Sequence, residues 1–471
     1  MNPEIKFGTD GWRGIMGEDF TPENVARVIQ AFCDRLKKVT TDRLILLGYD
    51  RRANSDQFAK TVASVLTGNG FSVLQSSQFC PTPCLAWNTK DQKAAAGVMV
   101  TASHNPAIWN GIKFKESYGG AASPEYTTEV EKIIVENEKT GKKPQSLEPR
   151  DAQKKGLLKE FDPKKDYLKS LQQFVDLKKI QAAHWKIGFD PLYGAGSGFL
   201  SPILEQDIFE IHAEAKPDFG GLNPEPIQKN LGGLIQMVRE KKLDVGLATD
   251  GDADRIGAVD EEGNFVDSHH IFALILKHLV EVRKGHGEII KTVSTTGMID
   301  RLSKKYGLRL HELPIGFKHI CKKLGEISPL VAGEESGGIA IAQHLYERDG
   351  LLSGLMLLEI MSHNKKKLGE LVRELHQELG PHFFEREDLH LSPAEIQKVR
   401  ERLPSLKIES LAGQRVVGKV IIDGFKYQLA DGSWLLVRPS GTEPLLRLYA
   451  EADDPAKVKK LMTAAREIIT V

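Results

Sequence analysis

The sequence lacks several features that mark specialised classes of protein. Its four cysteines, Cys33, Cys80, Cys84 and Cys321, form no pair of closely spaced pairs of the kind that binds zinc. It has no net charge, because 64 acidic residues balance 64 basic ones, so its composition does not indicate nucleic acid or an anionic membrane as a partner. It has no apolar run of membrane-spanning length and no basic, apolar leader. We therefore predict a cytoplasmic globular protein.

What the sequence does contain is an alternation of strand-length apolar runs with amphipathic helical segments. RLILLGYD, SDQFAKTVASVLTGNG and FSVLQ follow one another early in the chain, and EIIKTVSTT, GMIDRLSKKYG and LRLHELP repeat the order later. This alternation is typical of α/β proteins. A chain of 471 residues is too long for a single core, and its length favours about three domains.

The pattern changes after Leu379. Closely spaced strand-like segments, VVGKVIIDG, FKYQLADG, WLLVRPS and LLRLYAEA, are followed by one helical segment, which favours a smaller α+β domain. The polar stretch ENEKTGKKPQSLEPRDAQKKG is typical of a linker or surface excursion. We predict three related, doubly wound α/β domains at 1–150, 151–260 and 261–378, and an α+β domain at 379–471.

The stretch TASHNPAIWNGIKFK, Thr101 to Lys115, contains the first candidate reactive group. Ser103 and His104 follow an apolar run, but neighbouring residues on an extended chain point to opposite sides. His104 is therefore poorly placed to activate Ser103 as the base of a hydrolase would. The chemistry of Ser103 has to be inferred from the rest of the chain.

A second candidate site is the acidic stretch ATDGDADRIGAVDEEG. Asp250, Asp252 and Asp254 alternate after an apolar strand, so their oxygens can converge on one cation, and Mg²⁺ fits best. An EF-hand calcium loop ending at Glu261 is disfavoured, because Arg255 stands where that loop requires glycine. A solvated acidic loop is the remaining alternative. Arg255 could hold a phosphate beside the metal.

Two further stretches offer groups that suit a phosphorylated sugar. In VRPSGTEPLLRLY, a guanidinium, two hydroxyls and a glycine backbone can bind a phosphate. The same residue pattern is also typical of an ordinary tight turn without a ligand. In VAGEESGG, Glu334 and Ser336 can bond sugar hydroxyls, although an exposed acidic turn looks similar. The cradle residues are Arg438, Ser440, Gly441 and Thr442.

Five stretches, in this order, carry a resemblance to a known family. FGTDGWRG, TASHNP with NGIKF, DGDADR, GEESGG and RPSGTEP together resemble the α-D-phosphohexomutase superfamily, which includes phosphoglucomutases, phosphomannomutases and phosphoglucosamine mutases. The resemblance spans nearly the whole chain. It implies three α/β domains and a fourth, TATA-binding-protein-like domain around a central cleft, with one loop from each domain.

The resemblance also implies roles for the candidate residues. Ser103 becomes a phosphoserine carrier, and Mg²⁺ is held by Asp250, Asp252, Asp254 and a phosphate oxygen on Ser103. Proton transfer is implied for His104 and Lys113, and charge stabilisation for Arg13 and Arg255. The implied substrate-binding residues are Glu334, Ser336, Lys318, Arg438, Ser440, Gly441 and Thr442.

The implied reaction moves a phosphoryl group between C1 and C6 of a hexose phosphate through a hexose 1,6-bisphosphate. Glucosamine and dual-specificity branches usually end the sugar loop with histidine, whereas Gly337 and Gly338 end it here, and GFK of LPIGFKHI also resembles the glucose type. We therefore predict a phosphoglucomutase, with phosphomannomutase activity beside it. Phosphopentomutase and phosphoglucosamine mutase are alternatives.

Different classes of function also have to be weighed. A metal-dependent phosphatase would not need the phosphate cradle and the sugar loop so far along the chain. A non-catalytic phosphosugar-binding protein would not need the serine, the three aspartates and the lysine. A dinucleotide site at DPLYGAGSGF is disfavoured by its G-x-G-x-G spacing. A monomer and a homodimer both fit the sequence.

Overall fold

The chain is built on four β-sheets in the computed structural model, which describes residues 4–439 and 445–470. Ser440, Gly441 and Thr442 of the predicted phosphate cradle lie outside the described residues. All four cysteines are free and buried. Within the described ranges, none of the helices combines the length and the apolar character needed to cross a bilayer.

The first sheet is mixed, and its central strands are apolar. Its strands lie in the order β1-β5-β4-β2-β3-β6, with β4, β2, β3 and β6 parallel to one another and with β5 antiparallel to its neighbours. Every residue of β4 is buried, as expected for a strand covered on both faces. The elements are β1 (Trp12–Ile15), α1 (Pro22–Val39), β2 (Leu44–Tyr49), α2 (Ser55–Gly68), β3 (Ser72–Ser76), α3 (Thr82–Asp91), β4 (Ala96–Val100), β5 (Trp109–Glu116), α4 (Pro124–Lys139), α5 (Pro149–Lys154) and β6 (Leu158–Phe161).

The second sheet has the order β11-β10-β9-β7-β8, with β9, β7 and β8 parallel. Its central strand, β9, is buried throughout and ends at the predicted aspartate loop. The elements are α6 (Lys164–Phe174), α7 (Leu177–Ala182), β7 (Ile187–Asp190), α8 (Leu200–Leu204), β8 (Phe209–Glu210), α9 (Gly232–Lys241), β9 (Val245–Thr249), β10 (Ile256–Val259) and β11 (Phe265–Val266).

The third sheet has the order β13-β12-β14-β15 and shares a core with the second. Helix α13 joins the two, because it is buried over most of its length and packs against α7, α10 and β10. The elements are α10 (Ser268–Glu281), β12 (Glu288–Thr292), α11 (Met298–Tyr306), β13 (Leu310–Leu313), α12 (Phe317–Leu324), β14 (Pro329–Gly333), β15 (Ile339–Ile341), α13 (Gly350–Asn364) and α14 (Leu368–Leu379).

The fourth sheet is antiparallel, in the order β16-β21-β20-β19-β18-β17, and has a core of its own beneath α15 and α16. Three α/β units followed by a smaller α+β unit are the predicted fold class, which the structure confirms. The elements are β16 (Phe383–His390), α15 (Pro393–Arg402), β17 (Ser410–Leu411), β18 (Gln414–Val420), β19 (Phe425–Leu429), β20 (Trp434–Pro439), β21 (Leu445–Ala452) and α16 (Pro455–Thr470).

Candidate active site

Ser103 lies in the loop that follows the central strand β4. Its backbone is left-handed, with φ of 53°, and its side chain is buried. The Ser103 N–H donates to Thr101 Oγ1 at 2.9 Å, and the Thr101 hydroxyl in turn donates to Asp50 Oδ2 at 2.6 Å. Asp50 directly follows the neighbouring strand β2, so this short chain of hydrogen bonds fixes the serine relative to the sheet.

Arg52, which the sequence analysis did not select, clamps the same loop. Its guanidinium donates, within 3.2 Å, to four carbonyl oxygens: those of Ser103, Asn105 and Pro106 in the loop and that of Trp109 at the start of β5. The side chain is fully buried. Arg52 follows β2 in GYDRR, and the end of a parallel strand is where open α/β sheets place functional loops. That position is the signal by which the sequence could have revealed it.

The aspartate loop after β9 reaches Ser103 directly. Ser103 Oγ donates to Asp250 Oδ2 at 2.7 Å, and Asp250 Oδ1 accepts from the backbone N–H groups of Asp254 and Arg255. Between the aspartates, Gly251 allows this approach, because a Cβ there would lie 2.4 Å from the Ser103 carbonyl oxygen. The structure therefore brings together the serine and the three aspartates of the predicted metal site.

The three carboxylates suit a divalent cation. All three are buried, and one oxygen of each lies within 4.8 Å of the others. Burial, with Asp254 and Asp252 nearby, raises the pKa of Asp250 well above its usual range. Asp252 Oδ1 and Asp254 Oδ1 are buried without a hydrogen-bond partner. Unpaired buried carboxylate oxygens are costly unless a cation satisfies them, so the donor set fits Mg²⁺.

Lys113, on β5, lies among the carboxylates. Its ammonium is 2.7 Å from Asp10 Oδ2 and 2.8 Å from both Asp252 Oδ2 and Asp254 Oδ2. Burial favours the neutral amine, but these carboxylates outweigh it and raise the pKa of Lys113. Burial likewise opposes ionisation of Asp252, and Lys113 nevertheless lowers its pKa. Asp10, in the FGTDGWRG stretch, was not selected from the sequence.

The other predicted catalytic residues surround the serine loop. Arg13 donates through Nη1 to Asn105 Oδ1. Arg255 lies 3.4 Å through Nη1 from Glu225 Oε1. Burial lowers the pKa of His104 well below its ordinary value, and the nearby Arg255 and Arg13 lower it further, so its imidazole is neutral.

The sugar loop follows β14 and is tied to the aspartates by Arg348. The Gly316 N–H donates to Glu334 Oε1 at 2.9 Å, and Arg348 Nη1 lies 3.5 Å from Glu334 Oε2. Arg348 also donates to Asp10 and, at 2.7 Å, to Asp254 Oδ2. Burial raises the pKa of Glu334. Arg348 precedes the N-cap of α13 and was missed, because its role depends on contacts far apart in sequence.

The remaining predicted binding residues lie in the sugar loop, at the start of α12 and on β20. Ser336 is half-buried in the sugar loop, and Lys318, at the start of α12, donates to the Gly8 carbonyl oxygen at 2.9 Å. Arg438, on β20, has its Nε 2.9 Å from Asp423 Oδ2. The Nε–H bond of Arg438 does not point at that oxygen, so the contact is an ion pair and not an aligned hydrogen bond.

The family's domain models match the chain in sequence order. The phosphoglucomutase/phosphomannomutase α/β/α domain I matches residues 4–141, domain II residues 165–263, domain III residues 267–379, and the C-terminal domain residues 391–468.

Individual relatives match over almost their full length. A phosphoglucomutase/phosphomannomutase of Thermococcus kodakarensis is 30% identical, with 97% of this chain and 96% of the relative covered. A phosphoglucosamine mutase of Carboxydothermus hydrogenoformans is 32% identical, with 99% and 98% covered. The solved structure of a Thermus thermophilus protein assigned as a phosphomannomutase superposes with a TM-score of 0.87 at 32% identity, with both chains covered completely. The chain therefore belongs to the phosphoglucomutase/phosphomannomutase family of the α-D-phosphohexomutase superfamily and is a phosphohexomutase.

Proposed function

We propose that this phosphohexomutase interconverts glucose 1-phosphate and glucose 6-phosphate through a phosphoserine at Ser103. The observation that carries the proposal is the approach of Ser103 Oγ to within 2.7 Å of Asp250 Oδ2, beside two other buried carboxylates. In the described part of the chain, the hydroxyl of Ser103 donates to this carboxylate and not to a histidine of the hydrolase type. It does have a cation site in which the charge of a phosphoryl group can be neutralised.

The reaction we propose balances without any other reactant. A free sugar hydroxyl attacks the phosphorus of phosphoserine, and the bond to Ser103 Oγ breaks. The hydroxyl proton passes to the neutral imidazole of His104, and Ser103 Oγ takes a proton from the ammonium of Lys113. The resulting hexose 1,6-bisphosphate reorients and returns its other phosphoryl group to Ser103. Mg²⁺ held by the three aspartates would supply neutralisation of the developing charge. Arg13 and Arg255 stabilise the same charge from the protein side.

Binding at the far end of the sugar aligns the reacting end. We propose that Arg438, with Ser440, Gly441 and Thr442, holds the phosphate that is not reacting. Glu334 and Ser336 bond hydroxyls that are available in both orientations of the sugar, and Lys318 offers an ammonium at the adjoining turn. Because these groups would bind parts of the substrate other than the reacting hydroxyl, their binding energy would orient the substrate for transfer.

The sugar loop supports glucose as the leading substrate. In the glucosamine and dual-specificity branches, histidine usually stands at the position of Gly338. In this structure, a Cβ at Gly338 would lie 2.1 Å from Cδ of Arg348. Arg348 therefore fills the space that a histidine side chain would enter, and its guanidinium is held there by Asp10, Asp254 and Glu334.

Phosphoglucosamine and phosphomannose substrates are the second candidates. The observation that favours them is that relatives bearing those names match the chain at 30% and 32% identity over nearly its whole length. Glucose and mannose differ only at C2. Without a dedicated partner there, discrimination rests on about one hydrogen bond, which corresponds to roughly tenfold or less in rate.

Three measurements test the proposal. Mass spectrometry of the purified protein is expected to find a phosphoryl group on Ser103. Turnover of glucose 1-phosphate, mannose 1-phosphate and glucosamine 1-phosphate, with Mg²⁺ and a trace of hexose 1,6-bisphosphate, is expected to give the highest kcat/KM for glucose. Chelation of Mg²⁺ is expected to abolish turnover.

The control for Ser103→Ala is Ser197→Ala, because the Ser197 hydroxyl donates to the Ala213 carbonyl oxygen in a loop of the second unit. We expect the first variant to lose turnover and the second to retain it. Full activity of Ser103→Ala would refute the phosphoserine. A higher kcat/KM for mannose or glucosamine phosphate would refute only the choice of sugar.

A further inference from the structure

Asp423 links two parts of the proposed substrate site that lie on different sheets. It stands in the turn between β18 and β19 and is about a quarter exposed, with 23% of its side chain accessible. Its Oδ2 is 2.9 Å from Nε of Arg438 and also accepts a hydrogen bond, at 3.0 Å, from the backbone N–H of Ile315. One carboxylate oxygen therefore contacts both the fourth and the third unit.

The turn that contains Ile315 also holds the sugar loop. Ile315 and Gly316 connect β13 to α12, and their consecutive N–H groups point to different carboxylates. Ile315 donates to Asp423, and Gly316 donates to Glu334 Oε1 at 2.9 Å. A continuous path of polar contacts thus runs from Arg438 through Asp423 and this turn to Glu334.

We propose that Asp423 is a positioning residue, which fixes the guanidinium of Arg438 at a set distance from Glu334. This inference deepens the proposed function and rests on it, because it takes Arg438 as the group that binds the remote phosphate. A sugar phosphate binds in two orientations. In both of them, the protein groups that bind its phosphate and its hydroxyls have to lie the same distance apart. A fixed spacing between the two binding groups meets that requirement.

The position of the contact on the guanidinium supports a positioning role. Asp423 lies at Nε, so the two terminal nitrogens of Arg438 are left to form the parallel pair of bonds that phosphate favours. Asp423, itself held by the Ile315 N–H, also holds the Arg438 side chain, which is 10% exposed, before the ligand arrives. Ordering an arginine in advance removes a conformational cost that binding would otherwise bear.

A double-mutant cycle tests the inference. Asp423→Ala is expected to raise the KM for glucose 1-phosphate about tenfold while kcat changes less than twofold, because a lost orienting contact to a charged group weakens binding by roughly that factor. Arg438→Ala is expected to raise KM further. If Asp423 acts through Arg438, the double variant is no worse than Arg438→Ala alone.

The matched control is Lys426→Met. Lys426, on β19, donates to the Val293 carbonyl oxygen at 2.8 Å and to Glu312 Oε1 at 3.1 Å, so it joins the same two units without contacting Arg438. It is expected to lower the melting temperature and leave KM unchanged. Asp423→Asn keeps an acceptor for Ile315 without the charge, and we expect a KM between those of the parent and Asp423→Ala.

The outcomes separate the inference from the function on which it rests. Additive effects of Asp423→Ala and Arg438→Ala, or a KM increase of the same size in Lys426→Met, would overturn the positioning role. An increase in KM for Arg438→Ala alone, with Asp423→Ala like the parent, would do the same and leave the proposed function standing. An unchanged KM in Arg438→Ala would refute the phosphate-binding role itself.

Discussion

Ser103 combines a chemical role with an unfavourable backbone. Its φ of 53° lies in the left-handed region, which costs a residue with a Cβ roughly 1–2 kcal/mol. The hydrogen bond from Ser103 N–H to Thr101 Oγ1 and the Arg52 clamp on the Ser103 carbonyl hold the residue there. Strain maintained by the surroundings in this way is typical of reactive positions.

This geometry predicts that the variants Ser103→Gly and Ser103→Ala differ in their free energy of unfolding. Ser103→Gly and Ser103→Ala should both lose mutase activity, but Ser103→Gly should be the more stable by about 1 kcal/mol, because glycine adopts a positive φ without a steric cost. Urea unfolding of the two variants measures the difference. At Ser201, within the helix α8, the order is expected to reverse, with alanine the more stable. Equal stability of the two Ser103 variants would show that the backbone there is not strained.

At the scale of residues, the sequence predicted the groups that stand in distinctive local patterns. Ser103 and the three aspartates follow strands in short polar loops. The structure places Ser103 Oγ 2.7 Å from Asp250 Oδ2 and one oxygen of each aspartate within 4.8 Å of the others. Arg348 has no such local pattern, and Arg52 has only its position after β2 to indicate a role. Arg52 acts on carbonyl oxygens about fifty residues away, and Arg348 acts on carboxylates of two other units. Their roles arise only when the chain is folded.

At the scale of elements, α13 is an apolar helix with one buried carboxylate. Glu359 is only 5% exposed, and it accepts hydrogen bonds from three groups: the Asp176 N–H at 2.9 Å, His278 Nε2 at 2.8 Å and the Arg283 guanidinium. His278 lies in α10, Arg283 lies just after the end of α10, and Asp176 is the N-cap of α7. Glu359 therefore ties the helices of the second and third units together around α13.

The stability that Glu359 confers is expected to depend on pH. Burial opposes its ionisation, but His278 and Arg283 prevail and lower its pKa to about 2. The unfolded chain has a higher pKa, so the contribution is present at neutral pH and is lost as the pH falls from about 4.5 towards 2. Glu359→Gln should cost about 2 kcal/mol at pH 7 and much less at pH 3, as measured by urea unfolding. A cost that stays constant with pH would contradict this account.

The strand and helix patterns predicted most of the α/β elements, but not the extent of the first sheet. β6 pairs in parallel with β3, so that sheet continues beyond residue 150, where the sequence analysis ends the first unit. The predicted linker also contains α5. β6 has four residues, two of them exposed, and one buried leucine does not produce a clear alternation. β6 pairs with the outer edge of β3, and the sequence does not show which strand has that edge available.

At the scale of the whole molecule, buried charges of alternating sign join the first three units. The ammonium and guanidinium groups lie between carboxylates contributed by different sheets. Such an arrangement is stable only while every charge keeps its partner, because an unpaired charge in the interior is costly. The residues are Asp10, Lys113 and Lys115 of the first unit, Asp252 and Asp254 of the second, and Glu347 and Arg348 of the third.

The pair formed by Lys115 and Glu347 lets this network be tested away from the reacting groups. The two side chains are fully buried, and their charged atoms are 2.5 Å apart. Lys115→Met takes the ammonium away from the buried Glu347, whose remaining charged contact is Arg348 Nε at 3.5 Å, and it should lower the free energy of unfolding by about 3–5 kcal/mol. Adding Glu347→Leu removes the buried carboxylate and should recover much of that loss, although the Arg348 N–H then loses the Glu347 oxygen that it contacts at 3.0 Å. Urea unfolding of the three proteins measures both steps. If the double variant were as unstable as Lys115→Met, apolar packing around Lys115 and not charge pairing would hold the first and third units together at this point.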